Sequence, residues 1–162
     1  MTASSVKIAI ASDHAGFALK EIIKEQLRNA KREFEDLGPN SEASVDYPDF
    51  AEKLAVTVRD GKGLGILICG TGQGMAISAN KIPGIRAAVV ADTFSAHMAR
   101  QHNNANVLCM GSRVVGQGLA WDIVQAFLSA EFEGGRGQAL ARRLRQSFDI
   151  ELAVLALFQD RK

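Results

Sequence analysis

Short apolar runs alternate along this chain with longer stretches whose apolar residues recur every three or four positions. Lys7–Ala11 (KIAIA) reads as a short buried strand, and Gly16–Ala30 as a helix with Leu19, Ile22, Ile23 and Leu27 on one face. Arg32–Leu37 alternates around Phe34 and predicts a second strand ending at Gly38-Pro39. Asn40–Tyr47 is a polar loop, and Pro48 suits the first turn of a helix. There Phe50, Leu54 and Val58 repeat every four residues, up to a stop at Asp60-Gly61. Leu64–Cys69 is an apolar run whose length and β-branched content favour a buried strand over a helix. A helix over Met75–Ile82 follows, closed by Pro83-Gly84. Arg86–Ala91 and Val107–Met110 are further strands, separated by a helix that Asp92 or Thr93 can cap and that runs towards Asn103. Gly116–Ser129 is a helix with Leu119, Ile123 and Phe127 on one face. Strand then helix, five times over, predicts an α/β fold with a parallel sheet covered on both faces.

Composition narrows the function classes. At 162 residues and 47% hydrophobic, the chain predicts one domain with a substantial core. A net charge of +1 from scattered residues gives no footprint for nucleic acid or for a polybasic membrane contact. No apolar run reaches transmembrane length, and the opening MTASSVK lacks the apolar stretch of a signal peptide. Cys69 and Cys109 both sit in strand contexts and form no C-x-x-C pair, which fits a reducing cytoplasm without a disulfide framework. No grouping has metal-ligand spacing, so neither a metal nor another cofactor is expected. Past Glu131 the chain runs through a glycine-rich hinge, FEGGRGQ, into a basic helical segment with Arg142, Arg143 and Arg145. The tail Ile150–Phe158 is apolar, and with a domain already complete by Ser129 it predicts docking on a partner subunit.

The chemistry concentrates after the central run. Cys69 is followed by Gly70-Thr71-Gly72-Gln73-Gly74, whose alternate glycines let the backbone approach a ligand and turn its N–H groups inward as an anion nest. A thiol beside such amides and a helix N-terminus is favoured as thiolate. The loop has neither the spacing nor the lysine of a nucleotide P-loop, and Gly74 comes one residue early for a dinucleotide fingerprint. A tight turn with an inert buried cysteine stays open as the alternative. Ligands of open α/β sheets bind at the carboxyl ends of the strands. Four polar clusters are expected there: Ser12-Asp13-His14, Cys69–Gly74, Asp92-Thr93 and Gly111-Ser112-Arg113. His102-Asn103 falls at the far end of its helix, at the opposite edge. It is either a surface or capping residue pair, or it serves a neighbour's site across a dimer interface.

SDHAGFALK (Ser12–Lys20), DYPDFA (Asp46–Ala51), ILICGTGQGMAISANK (Ile66–Lys81), GIRAAV (Gly84–Val89), ARQHNNANVLCMGSRVVG (Ala99–Gly116) and FEGGRGQ (Phe132–Gln138) occur in order along the chain. Together they resemble the ribose-5-phosphate isomerase B family, which belongs with the galactose-6-phosphate isomerases. The resemblance implies a Rossmann-like three-layer α/β/α sandwich with a five-stranded parallel sheet and a C-terminal helical extension. That extension, about residues 131–162, would bind phosphate and contact the partner. It also implies a cytoplasmic, metal-independent aldose–ketose isomerase of the pentose phosphate pathway. Such an enzyme works as a homodimer or a dimer of dimers with shared active sites. By the family pattern Cys69 is the base, Thr71 stands beside it, and His102 of the other subunit assists ring opening. Asp13, His14, the amides of Gly70, Thr71, Gly72, Gln73 and Gly74, and Asn103, Arg113 and Arg136 hold the substrate.

The chain departs from that pattern at Gly137 and Leu140, where the family has a histidine and a second phosphate-binding arginine. Phosphate binding weaker than the family's follows, with Arg136 dominant and Arg143 minor. Ribose 5-phosphate is the first expectation for substrate. Another phosphorylated aldose (allose 6-phosphate, galactose 6-phosphate or a tetrose phosphate) is the alternative, and a non-catalytic sugar-phosphate binding module on the same fold is a third.

Overall fold

The computed structural model describes residues 7–61, 63–134 and 146–147. Five strands and five helices alternate through them: β1 (Ile8–Ser12), α1 (Phe17–Asn29), β2 (Phe34–Asp36), α2 (Tyr47–Gly61), β3 (Leu64–Cys69), α3 (Gln73–Ala79), β4 (Ala87–Val89), α4 (Thr93–Asn103), β5 (Val107–Gly111) and α5 (Gln117–Ser129). All strand pairings are parallel and the order is β2-β1-β3-β5-β4. The predicted three-layer sandwich is therefore what the chain forms, with β3 at the centre. The C-terminal helical extension, Arg136, Leu140, Arg143 and the tail Ile150–Phe158 lie outside the described residues.

Strand alternation feeds two cores. Ile8, Ile10, Ile66, Ile68, Leu108 and Met110 pack with α1, α4 and α5, while Ala9, Ala11, Leu67, Cys69, Val107 and Cys109 pack with α2 and α3. Crossovers towards β2 use the first face and crossovers towards β4 the second, as a single hand of connection requires. Both edge strands are shorter than the expected Arg32–Leu37 and Arg86–Ala91, because each pairs on one side only. Helix α3 begins at Gln73, two residues before the expected Met75, because the turn at Gly72 already starts it.

Two helical faces differ from their periodicity. On α1 the buried set is Leu19, Lys20, Ile23, Lys24 and Leu27, while Ile22 is only half-buried. On α5 Leu119 is exposed, and Ala120 and Val124 join Ile123 and Phe127 in the core.

Candidate active site

β3 is followed by α3 on one face, whereas its neighbours β1 and β5 are followed by α1 and α5 on the other. Reversals of this kind open crevices at the carboxyl end of the sheet. Cys69 is the last residue of β3, 5% exposed, and its Sγ accepts the Gly72 amide at 3.1 Å. Gly72 has φ +81°, a left-handed conformation that favours glycine and turns its N–H back onto the sulfur.

The turn after β5 is laced to this loop. Cys69 O accepts Ser112 N at 2.8 Å and Gly70 O accepts Arg113 N at 3.1 Å. The Arg113 side chain lies along Gly70, where an added Cβ would stand 3.7 Å from its Cζ and Nε. Gly111 meets Thr71 so closely that a Cβ would stand 2.7 Å from the Thr71 carbonyl carbon. Thr71 itself is exposed, and its Oγ1 accepts Gln73 N at a long 3.4 Å.

From β1, Asp13 N donates to Ile68 O at 3.1 Å, which bends the loop over the end of β3. The buried Asp13 carboxylate accepts Gly16 N at 2.8 Å through Oδ1, within the turn that leads into α1. His14 is exposed, and its Nδ1 faces the Val45 amide at 3.4 Å.

Asp13, His14, Cys69, Gly70, Thr71, Gly72, Gln73, Gly74 and Arg113 thus share one edge. Tyr47 joins them, which the polar loop and helix start at Asn40–Pro48 did not suggest. A Cβ on Gly74 would stand 3.0 Å from its ring, so the ring lies against the glycine loop. The small residue at position 74, opposite an aromatic that opens a helix, is the only local signal for it.

Asp92 follows β4 at the same carboxyl edge, as expected, with β5 between its strand and β3, and its carboxylate accepts Ser95 N at 2.7 Å as the cap of α4. That bond holds its carboxyl below the usual carboxylate range. His102 and Asn103 end α4 and are exposed. They lie near Asn106, whose carbonyl accepts Gly65 N at 2.8 Å, at the start of β3. The length of β3, about 17 Å at ~3.3 Å per residue, separates that edge from Cys69. A cavity of about 590 Å³ opens there, lined by Arg59, Arg86, Arg100, Asn104 and Asn106 among others. Cys109 is sealed within the sheet, where burial and the neighbouring Cys69 push its thiol far up. Phe94 (71% exposed), Val114, Leu119 and Tyr47 leave apolar surface around the carboxyl edge. Among the described residues no helix is long and apolar enough to cross a membrane.

Comparison with known proteins fits this geometry. The profile of a family described as Ribose/Galactose Isomerase matches residues 8–144. The chain is 50% identical over 133 residues to ribose-5-phosphate isomerase B of Escherichia coli, covering 82% of this chain and 89% of that one. It is 48% identical over 133 residues to D-erythrulose-4-phosphate isomerase of Pectobacterium atrosepticum, covering 80% and 87%. The structure of ribose-5-phosphate isomerase B from Mycoplasma genitalium with bound ribulose-5-phosphate superposes with a TM-score of 0.84 at 47% identity, covering 92% and 98%. Fold, thiol-bearing glycine loop and sequence agree: the chain belongs to the ribose/galactose isomerase family.

Proposed function

We propose that this protein interconverts ribose 5-phosphate and ribulose 5-phosphate in the cytoplasm, within the pentose phosphate pathway. The carrying observation is the Cys69 sulfur, set at the end of the central strand and receiving the Gly72 amide at 3.1 Å. As thiolate, Cys69 takes the proton from C2 of the open-chain aldose and leaves an enediolate. The thiol, whose proton exchanges with solvent, then delivers a proton to C1, while the hydroxyl proton on O2 passes to O1, and the ketose results. Amides of the Gly70–Gly74 loop stabilise the developing oxyanion, where one such donor is worth about 3–4 kcal/mol. Arg113, Arg136 and His14 hold the phosphate through charge-assisted hydrogen bonds.

His102 and Asn103 enter this scheme from a second copy, in a homodimer or a dimer of dimers. Their place at the opposite edge and the apolar rim of Phe94, Val114 and Leu119 support that reading. In D₂O, turnover of ribose 5-phosphate should place deuterium on the sugar carbons that exchange protons. Release of unlabelled ribulose 5-phosphate would mean direct hydride transfer and would remove Cys69 as base.

The second reading is a four-carbon substrate, favoured by the relative named for D-erythrulose 4-phosphate at nearly the same identity. A kinetic panel of four-, five- and six-carbon aldose phosphates decides between them by the highest kcat/KM.

A further inference from the structure

Two lysines of α1 point inward. Lys20 is fully buried and Lys24 nearly so. Lys20 Nζ donates to Asp36 Oδ1 and Oδ2, both at 3.0 Å, and to Glu21 Oε1 at 2.7 Å. Lys24 Nζ donates to the two Glu21 oxygens at 2.7 and 2.8 Å and lies 2.5 Å from Asp36 Oδ2. Two cations and two carboxylates therefore close the seam between α1 and the end of β2. Apolar residues of similar size would often make such a seam equally stable or more so, so stability alone is a weak reason for it.

Asp36 makes one more bond. Its Oδ1 accepts the Gly38 amide at 3.0 Å, and Gly38 O in turn accepts Ser12 N at 3.0 Å. Ser12 is followed by Asp13 and His14. The same turn opens the loop whose Val45 amide faces His14 and whose end brings Tyr47 onto Gly74. Asp36 thus stands at the root of both walls on the β1 side of the site, without reaching into it.

We propose that Asp36 is a positioning residue: clamped by Lys20 and Lys24, it fixes the Gly38 turn and, through Ser12, the Asp13-His14 loop that receives the substrate. The inference rests on the reading that Asp13 and His14 hold the sugar phosphate. It assigns the kinetic role to the Gly38 bond, which an amide oxygen at position 36 can also accept, and the stability of the seam to the ion pairs.

Two substitutions separate this from a merely structural role. Asp36→Asn keeps an oxygen for the Gly38 amide but loses the charge, whereas Asp36→Ala loses both. With ribose 5-phosphate, Asp36→Ala should raise KM about tenfold and change kcat less than threefold, and Asp36→Asn should keep KM within threefold of the parent. Both should melt earlier than the parent. Amide hydrogen exchange at Gly38 and Ser12 should quicken in Asp36→Ala and stay slow in Asp36→Asn. Equal KM changes in the two variants, or an unchanged KM in Asp36→Ala, would overturn the proposal. Should Asp36→Ala not fold, Asp36→Asn still decides: a tenfold KM rise with a protected Gly38 amide also overturns it. His14→Ala tests the underlying reading separately. An unchanged KM there, with the exchange results as expected, would show a loop anchored by Asp36 that does not hold substrate, and the kinetic role would fall with it.

Discussion

The two ends of one sheet solve opposite electrostatic problems. At the carboxyl edge, β3 ends at Cys69 before a glycine loop and β5 ends at Gly111, and the donors are backbone amides, turned inward at Gly72 and packed tightly at Gly111. At the amino edge, the carbonyl that ends α4 and carbonyls of the loops leading into β4 and β5 take their donors from side chains. Arg86 Nε donates to Asn103 O at 2.6 Å, Asn106 Nδ2 to Gly84 O at 2.9 Å, and Arg100 to Ala105 O at 3.2 Å. The carboxyl edge offers fixed dipoles and a thiol beside Arg113 and His14, and the amino edge offers further cations and the His102 imidazole. An anionic sugar needs both kinds of group. They lie a strand's length apart in one chain, and the homodimer or dimer of dimers proposed above is the arrangement that would bring the amino edge of one copy to the carboxyl edge of another.

Removing the thiol should break this contrast most severely. Cys69→Ala should lower kcat about a thousandfold while the dissociation constant for ribose 5-phosphate stays within a few-fold. A near-normal kcat would return Cys69 to the core and leave the carboxyl edge without its base. The division between edges is tested by mixing inactive variants. His102→Ala and Cys69→Ala chains, combined after demonstrated subunit exchange, should regain part of the parent activity. No recovery would place both residues in one subunit's site.

A backbone test sits one step lower. Gly111→Ala would drive a methyl against the Thr71 main chain, and overpacking of this kind costs about 1–3 kcal/mol. Melting temperature and kcat/KM should fall together, whereas Gly116→Ala, with open space around it, should leave the glycine loop untouched. Equal effects of the two would mean that the close approach at Gly111 is not what shapes the loop.

The smallest effect belongs to the α1–β2 seam. Burial pushes Asp36 and Glu21 up, but hydrogen bonds from Lys24, Lys20 and, for Asp36, the Gly38 amide outweigh it and hold both below their ordinary 3.8 and 4.5. Burial pushes Lys24 down, but Asp36 and Glu21 outweigh it and hold it above 10.5. The carboxylates' contribution is therefore present above their ordinary values and lost as pH falls through the lowered ones. That of Lys24 is present below 10.5 and lost as pH rises through the raised one. Melting temperature should decline at both extremes, and Asp36→Asn should flatten the acid limb. An acid limb of unchanged slope in that variant would exclude Asp36 as its source.

Much of this was legible in the chain because it is local. Apolar runs buried on both faces and helices with one apolar stripe declare themselves by period, and glycine spacing alone shapes the nest beside Cys69. The far placement of His102 also followed from sequence, since a helix that starts at one edge must end at the other. Pairing was not legible. Nothing in Arg86–Ala91 says that β4 lies outside β5, so the edge that Asp92 shares with the other clusters is legible but its distance along that edge is not. Tyr47 escaped because its contact with Gly74 is made only by the packing of α2 beside α3. Lys20 and Lys24 escaped because a lysine in a helix reads as solvent-facing until a carboxylate from another element, here Asp36, comes within reach.

The strand order has a consequence for how the chain comes together. Among the described residues β5 is the last strand in sequence, yet it lies between β3 and β4 and is the strand that each of them meets on that side. As the chain leaves the ribosome, β3 must hold an open edge and β4 must wait without a neighbour until the residues of β5 emerge. The same insertion brings Ser112 and Arg113 onto the loop of Cys69. The keystone of the sheet thus also completes the glycine-loop side of the site, and a nascent chain stopped before Val107 has neither.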